Sequence, residues 1–124
     1  MKRDSAALKL RTKNFALRII RLYRSLPKSA DARIMGTQLL RSSTSIGANY
    51  RAACRGRSRA EFISKLGIVL EEADETVFWL ELFQEANIFP AEKLTDLVHE
   101  ANELLSIFVT SVRAAKGPPQ ESDP

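Results

Sequence analysis

The chain has 124 residues, a single cysteine, 44% apolar and 27% charged residues and a net charge of +4. These values suit one folded domain, and one cysteine excludes an internal disulfide, so we expect a reducing, cytoplasmic environment. No apolar run is long enough to cross a membrane, and residues 1–15 lack the pattern of a secretory signal, so no membrane partner is expected.

Apolar residues recur at steps of three and four in four segments, which predicts four amphipathic helices. We place them at residues 8–26, about 30–55, about 58–85 and 90–116. Residues 1–7 are predicted to be flexible and residues 117–124 to form a disordered tail. Because the connections are short, the fold class is all-α, with an antiparallel up-down-up-down four-helix bundle over residues 8–116.

The turns between these segments carry helix-end signals. Ser29 is a predicted cap of the second helix, and Ser58 with Glu61 three positions later predicts a capping box at the start of the third. Gly56 and Asn87 follow helical runs, where the backbone often takes a left-handed conformation.

Two surfaces carry more apolar residues than a solvated helix needs. In the first helix, leucine and isoleucine are mixed into the basic side, where a neighbouring subunit, a membrane surface or no partner at all could face them. The end of the third helix is apolar nearly all round, which predicts a subunit contact there. The candidate interface residues are Leu10, Leu17, Ile20, Val77, Phe78, Trp79 and Leu82.

The inner face of the second helix contains Ser42 and Asn49. Buried polar side chains need hydrogen-bond partners. We therefore predict a structural polar network that includes both residues and fixes the register of the helices. A binding or catalytic role for either residue is the alternative interpretation.

Charge is distributed unevenly along the chain. Residues 1–59 contain 15 Lys and Arg against 2 Asp and Glu, a net of +13, whereas residues 60–124 contain 4 against 13, a net of −9. Either the two halves attract each other, with Asp74 as one predicted partner of a second-helix arginine, or the basic half contacts a polyanion. The candidate nucleic-acid-binding residues are Arg33, Arg41, Arg51, Arg55, Arg57 and Arg59. Because aromatic residues are not interleaved with these arginines in the sequence, base stacking is not predicted.

The sequence offers little for enzyme chemistry. His99 is the one histidine, whereas a di-iron site in a bundle needs two Glu-x-x-His motifs, so we interpret His99 as a solvated or boundary residue. Cys54 has no second cysteine and is interpreted as a small helix-packing residue. We therefore predict no catalytic residues, no metal site and no cofactor.

A resemblance to a known family is carried by SSTSIGANYRAACRGRSRAEFISKL, which is followed by EEADETVFWLELF. The chain resembles, from about Phe15 to Arg113, the four-helix-bundle proteins encoded in intervening sequences of bacterial 23S ribosomal RNA genes. Its most specific parts are the Ser-Ile-x-Ala-Asn and Arg-Ser-x-x-Glu-Phe segments. Family members often have Glu where this chain has Ala52, so a role that depends on that carboxylate is not carried over.

The resemblance implies an antiparallel four-helix protomer, a ring-shaped homopentamer and no established enzymatic activity. The family is similar to the accessory variability determinant of diversity-generating retroelements, a basic pentamer that binds nucleic acid and a reverse transcriptase. We therefore expect a non-enzymatic homo-oligomeric scaffold that binds RNA, DNA or a nucleic-acid-processing enzyme through a basic surface. The alternative is a protein-protein interaction module without a nucleic-acid role.

Overall fold

The computed structural model describes residues 2–117, with side chains from Ser5 onward. Its four α-helices are α1 (Lys2–Ser25), α2 (Ala30–Cys54), α3 (Arg59–Glu85) and α4 (Ala91–Lys116). Each helix packs mainly on the helices next to it in the chain, and contacts between α1 and α4 are sparse. The described residues contain no β-strand, and the predicted all-α four-helix fold is confirmed.

The first helix begins earlier than the sequence predicted. Helix α1 starts at Lys2 rather than at Leu8, so the predicted flexible segment over residues 1–7 is helical from its second residue. Its short alanine run contains no residue that breaks a helix, and alanine has the highest helix propensity. At the other terminus, α4 ends at Lys116 as predicted, and Gly117 has a φ of 76°. Residues 118–124 of the predicted tail lie outside the described residues.

Helix α3 ends in a Schellman motif. Asn87 has a φ of 55°, as its sequence position predicted. The Ile88 N–H donates to the Phe83 carbonyl at 3.2 Å, and the Asn87 N–H donates to the Gln84 carbonyl at 3.2 Å. These two bonds satisfy carbonyls at the helix end that would otherwise lack a partner.

Gly56, in the turn between α2 and α3, is favoured by limited space rather than by a left-handed backbone. The prediction of a positive φ is wrong, because Gly117 is the one glycine with a positive φ among the described residues. A Cβ atom at Gly56 would lie 3.0 Å from the Ala53 carbonyl oxygen and 3.2 Å from the Phe62 nitrogen. Both neighbours are backbone atoms, so the close approach of α3 to the end of α2 favours a residue without a side chain.

The two predicted helix caps have different outcomes. Ser58 accepts a hydrogen bond from the Glu61 backbone N–H at 3.1 Å, as predicted, but the Glu61 carboxylate returns to the Arg57 N–H at 3.3 Å instead of the Ser58 N–H. Ser29 occupies the N-cap of α2 without capping it through its side chain. Its hydroxyl bonds the Asp31 carboxylate, which lowers the pKa of Asp31.

The core runs the length of the bundle and is filled by aliphatic residues around three fully buried rings, Phe15, Phe83 and Phe108. It includes one polar contact between α2 and α3, where the Ser42 and Thr76 hydroxyls lie 3.0 Å apart and each also bonds a carbonyl of its own helix. Ser42 is thus part of a buried polar contact, as predicted.

The predicted contribution of Asn49 to that network is not found. Asn49 is only half-buried, and its side-chain amide donates to the Ser45 carbonyl on its own helix at 2.9 Å. Asn49 lies two helical turns beyond Ser42, where α2 approaches its end. Thr76, which the sequence pattern places in the hydrophobic stripe of α3, is the partner of Ser42 instead.

Candidate nucleic-acid interface

Antiparallel packing brings four helix ends together at one end of the bundle. The N-terminal turns of α1 and α3 meet the C-terminal turns of α2 and α4 there: Ser5 Oγ lies 3.3 Å from Cys54 Sγ, and the Arg59 guanidinium donates to the Ala115 carbonyl. We call this region the basic end. Its exposed cations are Arg51, Arg55, Arg57, Arg59, Arg113 and Lys116.

Few carboxylates oppose these cations. Glu61, in the first turn of α3, is the one acidic residue at the basic end whose side chain is described, and it lies 3.8 Å from the Arg57 guanidinium. Neither Arg51 nor Arg55 forms an ion pair within residues 5–117. The arrangement therefore concentrates positive charge that the rest of the protomer does not neutralise.

Sequence reasoning found four of these cations and missed two, Arg113 and Lys116. They are separated from Arg59 by more than 50 residues, but the last turn of α4 lies beside the first turn of α3. The proximity of Arg113 and Lys116 to Arg59 could have been predicted, because antiparallel packing of α3 and α4 places the end of α4 beside the start of α3.

Two of the predicted site residues lie elsewhere. Arg33 is in the first turn of α2, at the opposite end of the bundle. Arg41 is in the middle of α2 and bonds two carboxylates of α3, Glu72 at 3.0 Å and Glu75. The structure therefore does not bring Arg33 and Arg41 together with the arginines of the basic end.

The Arg41 cluster includes an aromatic residue. The indole N–H of Trp79 donates to Glu75 at 2.9 Å. This bond and the bond from Arg41 lower the pKa of Glu75, and the bond to Glu75 raises the pKa of Arg41. Asp74, the predicted acidic partner of a second-helix arginine, is exposed, so the prediction identified the right pair of helices but the wrong carboxylate.

A similar cluster between α1 and α4 was not predicted. Arg11 makes a bidentate contact with Glu100, with both distances 2.8 Å, and also bonds Glu103 at 3.1 Å. The hydrogen bond to Glu100 raises the pKa of Arg11 and lowers the pKa of Glu100. We call the Arg11 and Arg41 clusters the belt clusters, because they lie at mid-height on the bundle.

The basic end also contains a cavity of about 550 Å³ that is open to solvent. Apolar side chains form most of its wall, including Leu8, Phe62 and Ile107, and Arg59 lines its edge. Phe62, three residues after Arg59, also lines the cavity, so one aromatic side chain lies at the basic end. The expectation that the arginines bind without base stacking stays a prediction.

The predicted interface residues fall into three groups. Leu10, Leu17 and Phe78 are exposed, with 53% of Phe78 accessible. Ile20, Trp79 and Leu82 are half-buried. Val77 is only 7% exposed and belongs to the core of its own protomer, so it is not available to a subunit contact. Two further exposed apolar residues, Ile34 and Ile68, were not identified from the sequence.

His99 and Cys54 have surroundings of different kinds. His99 is exposed, and its Nε2 atom lies 2.7 Å from Glu103. Cys54 is half-buried at the end of α2, against Ser5. Within the part of the chain that is described, no three His, Cys, Asp or Glu side chains form a group able to hold a metal ion. Over the same residues, no helix combines the length and apolar character that a membrane span requires.

The topology and this end surface define a class of protein: a small four-helix bundle with a cationic end. A sequence model of the 23S rRNA-intervening sequence protein family matches residues 7–110, and the chain belongs to that family. The match confirms the resemblance found in the sequence.

A solved structure is consistent with this assignment. The chain is similar to a protein with unknown function from the S23 ribosomal protein family of Bacteroides thetaiotaomicron VPI-5482, with 37% identity and a TM-score of 0.80. The similarity covers 87% of this chain and 96% of the other. No curated protein matches the chain.

Proposed function

We propose that this protein is a non-enzymatic, homo-oligomeric scaffold that binds RNA or DNA through its basic end. The observation that supports the proposal is the concentration of exposed cations there, with Glu61 as their one described carboxylate neighbour. Arginines without an internal partner are available to phosphates, whose neutralisation releases counterions and drives binding. Such contacts position the protein without reading a base sequence.

Charge reversal at the basic end tests this proposal. We expect the Arg51→Glu, Arg55→Glu, Arg113→Glu triple variant to bind a mixed-sequence oligonucleotide roughly 100-fold more weakly than wild type at 0.1 M salt. Fluorescence anisotropy over a salt series should give wild type a log–log slope of several units. The matched control is Arg33→Glu, which changes an exposed arginine at the opposite end and should bind nearly as wild type. Wild type that binds neither RNA nor DNA contradicts the proposal.

Self-association is supported by two complementary exposed faces. On α1, Leu10 and Leu17 share a face with exposed Lys13, Arg21 and Arg24. On α3, Phe78 shares a face with exposed carboxylates, namely Glu71, Asp74, Glu81 and Glu85. The α1 face is apolar with basic residues around it and the α3 face is apolar with acidic residues around it, so the two faces complement each other. Because they are different faces of one chain, their contact joins protomers head to tail, and such a chain of protomers closes into a ring when the rotation between neighbours allows.

A charged substitution on the α3 face tests the assembly. We expect Phe78→Asp to reduce the mass measured by light scattering, because the new carboxylate faces an apolar contact and adds to an acidic surface. Ile34→Asp is the matched control, since Ile34 is 67% exposed on another helix and should not affect assembly. The resemblance implies a pentamer. A wild-type protein that is monomeric at micromolar concentration is inconsistent with this part of the proposal.

The alternative function is a protein-interaction module without a nucleic-acid role, and the exposed Phe78 within its acidic surroundings favours it. A basic protein segment would then occupy the α3 face, and a nucleic-acid enzyme such as a reverse transcriptase is the partner that the resemblance implies. In that case the basic-end triple variant should keep partner binding, whereas Phe78→Asp should lose it in a pull-down with the purified partner.

A further inference from the structure

Side chains fill the core along most of the bundle, whereas the basic end contains a cavity. Residues of all four helices line it, both small ones such as Ser5, Cys54 and Ser111 and larger ones such as Tyr50 and Phe62. A cavity of about 550 Å³ is within the range of pockets that hold small ligands.

The wall of the cavity suits a flat ring that carries polar atoms at its edge. Phe62 is half-buried and provides an aromatic surface, and Leu8 and Ile107 add aliphatic contacts. The Ser5 hydroxyl and the Cys54 thiol lie 3.3 Å apart on one side of the wall, and Ser111 lies on the helix of Ile107. A hydrocarbon chain would leave these polar groups without new partners, whereas the edge of a nucleobase can bond to them.

The cations around the cavity suit the remainder of a nucleotide. Arg59 lines the cavity, and Arg55 and Arg57 lie just before Arg59 in the turn between α2 and α3. A base inside the cavity would carry its flanking phosphates on the outside, next to these side chains. In a duplex the bases are stacked and paired, so a base can reach such a cavity only when it is unpaired.

We propose that the cavity receives one unpaired base of a single-stranded nucleic acid while the surrounding arginines contact the adjacent phosphates. This inference rests on the proposed nucleic-acid function and adds its substrate class, single-stranded RNA or DNA. Because the wall is mostly apolar and its hydroxyl groups can rotate, the cavity accepts any of the four bases with modest preference.

The first test uses wild-type protein and three ligands of equal length: a single-stranded oligonucleotide, the same sequence as a duplex, and a backbone without bases. We expect the single strand to bind roughly tenfold or more tightly than the baseless backbone, because base stacking adds to the phosphate contacts. The duplex should bind more weakly than the single strand. Equal affinity for the strand with and without bases overturns the inference but leaves the proposed function intact, whereas no binding of any ligand overturns both.

The second test fills the cavity. Ser111→Phe should weaken single-strand binding roughly tenfold without changing the slope of affinity against salt, because the phosphate contacts remain. Ser106→Phe is the matched control on the exposed side of the same helix and should bind as wild type. A fluorescent 2-aminopurine base in the strand should be quenched by wild type and not by Ser111→Phe. Unchanged affinity and quenching in a folded Ser111→Phe variant overturn the inference.

Discussion

The arginines of the belt clusters and those of the basic end have the same chemistry but opposite surroundings. Arg11 and Arg41 each contact two carboxylates on a neighbouring helix. Arg51 and Arg55 have no ion-pair partner within residues 5–117. Helix register makes this difference, because the acidic segment of α3 begins at Glu71, too far along the helix to reach its first turn. A single charge imbalance in the sequence therefore supports internal packing at mid-height and leaves unpaired arginines at one end, where we propose that nucleic acid binds.

Charge reversal in the belt should give the largest effect on stability. Arg41→Glu places a third carboxylate beside Glu72 and Glu75, and we expect the free energy of unfolding to fall by roughly 1–3 kcal/mol. Arg55→Glu, the same change at the basic end, should alter it by less than about 0.5 kcal/mol. Urea denaturation measures both variants. Equal destabilisation by the two substitutions would show that arginines of the belt clusters and of the basic end contribute equally to stability.

Acid should act on the belt clusters as well. The pKa values of Glu75 and Glu100 are lowered from their ordinary 4.5 by the hydrogen bonds described above. A carboxylate with a lowered folded-state pKa stabilises the fold above its unfolded-state value, and that contribution is lost as the pH falls through the folded-state pKa. Wild type should therefore lose stability below about pH 4.5, as followed by thermal melting.

The double variant Glu75→Gln, Glu100→Gln is the control for the acid effect. It should be less stable than wild type at pH 7, because both arginines lose a charged partner. Its loss of stability below pH 4.5 should be smaller, since the two titrating groups are absent. Parallel pH profiles for the two proteins would show that other carboxylates cause the acid response.

A smaller effect is expected from the indole bond in the Arg41 cluster. Trp79→Phe keeps an aromatic ring on α3 but removes the N–H that Glu75 accepts, so we expect a loss of about 0.5–1.5 kcal/mol in the free energy of unfolding. Denaturant unfolding followed by circular dichroism measures it. An unchanged midpoint would mean that solvent replaces this bond without cost.

Much of the fold could be predicted because its signals are local. The spacing of apolar residues in α4 predicts its buried face, and Asn87 marks the end of α3 at the residue with the left-handed backbone. The start of α1 was missed because the flexible ends of a chain and a helix without a cap look alike in sequence. Gly56 was misinterpreted because a close approach and a positive φ both require glycine.

The candidate site was only partly predictable, since it depends on contacts between distant segments. The arginines near the α2–α3 turn are adjacent in sequence and were found. Arg113 lies close to them because α4 packs antiparallel to α3. Arg41 lies apart from them at mid-height, where it contacts Glu72 and Glu75. That Ser42 bonds Thr76 of α3, whereas Asn49 bonds only its own helix, depends on the relative position of α2 and α3, which apolar periodicity defines too coarsely.

The sparse contact between α1 and α4 also bears on how the chain folds. Most tertiary contacts join helices that follow one another, so the chain can assemble through short loops, which favours rapid folding. Closing α1 against α4 joins the two ends of the domain and brings few residue pairs close together. Helix α1 is therefore the part of the bundle expected to dock late and to open first in local fluctuations. Since its first turn forms part of the cavity wall, such opening would widen the entrance through which the proposed base has to pass.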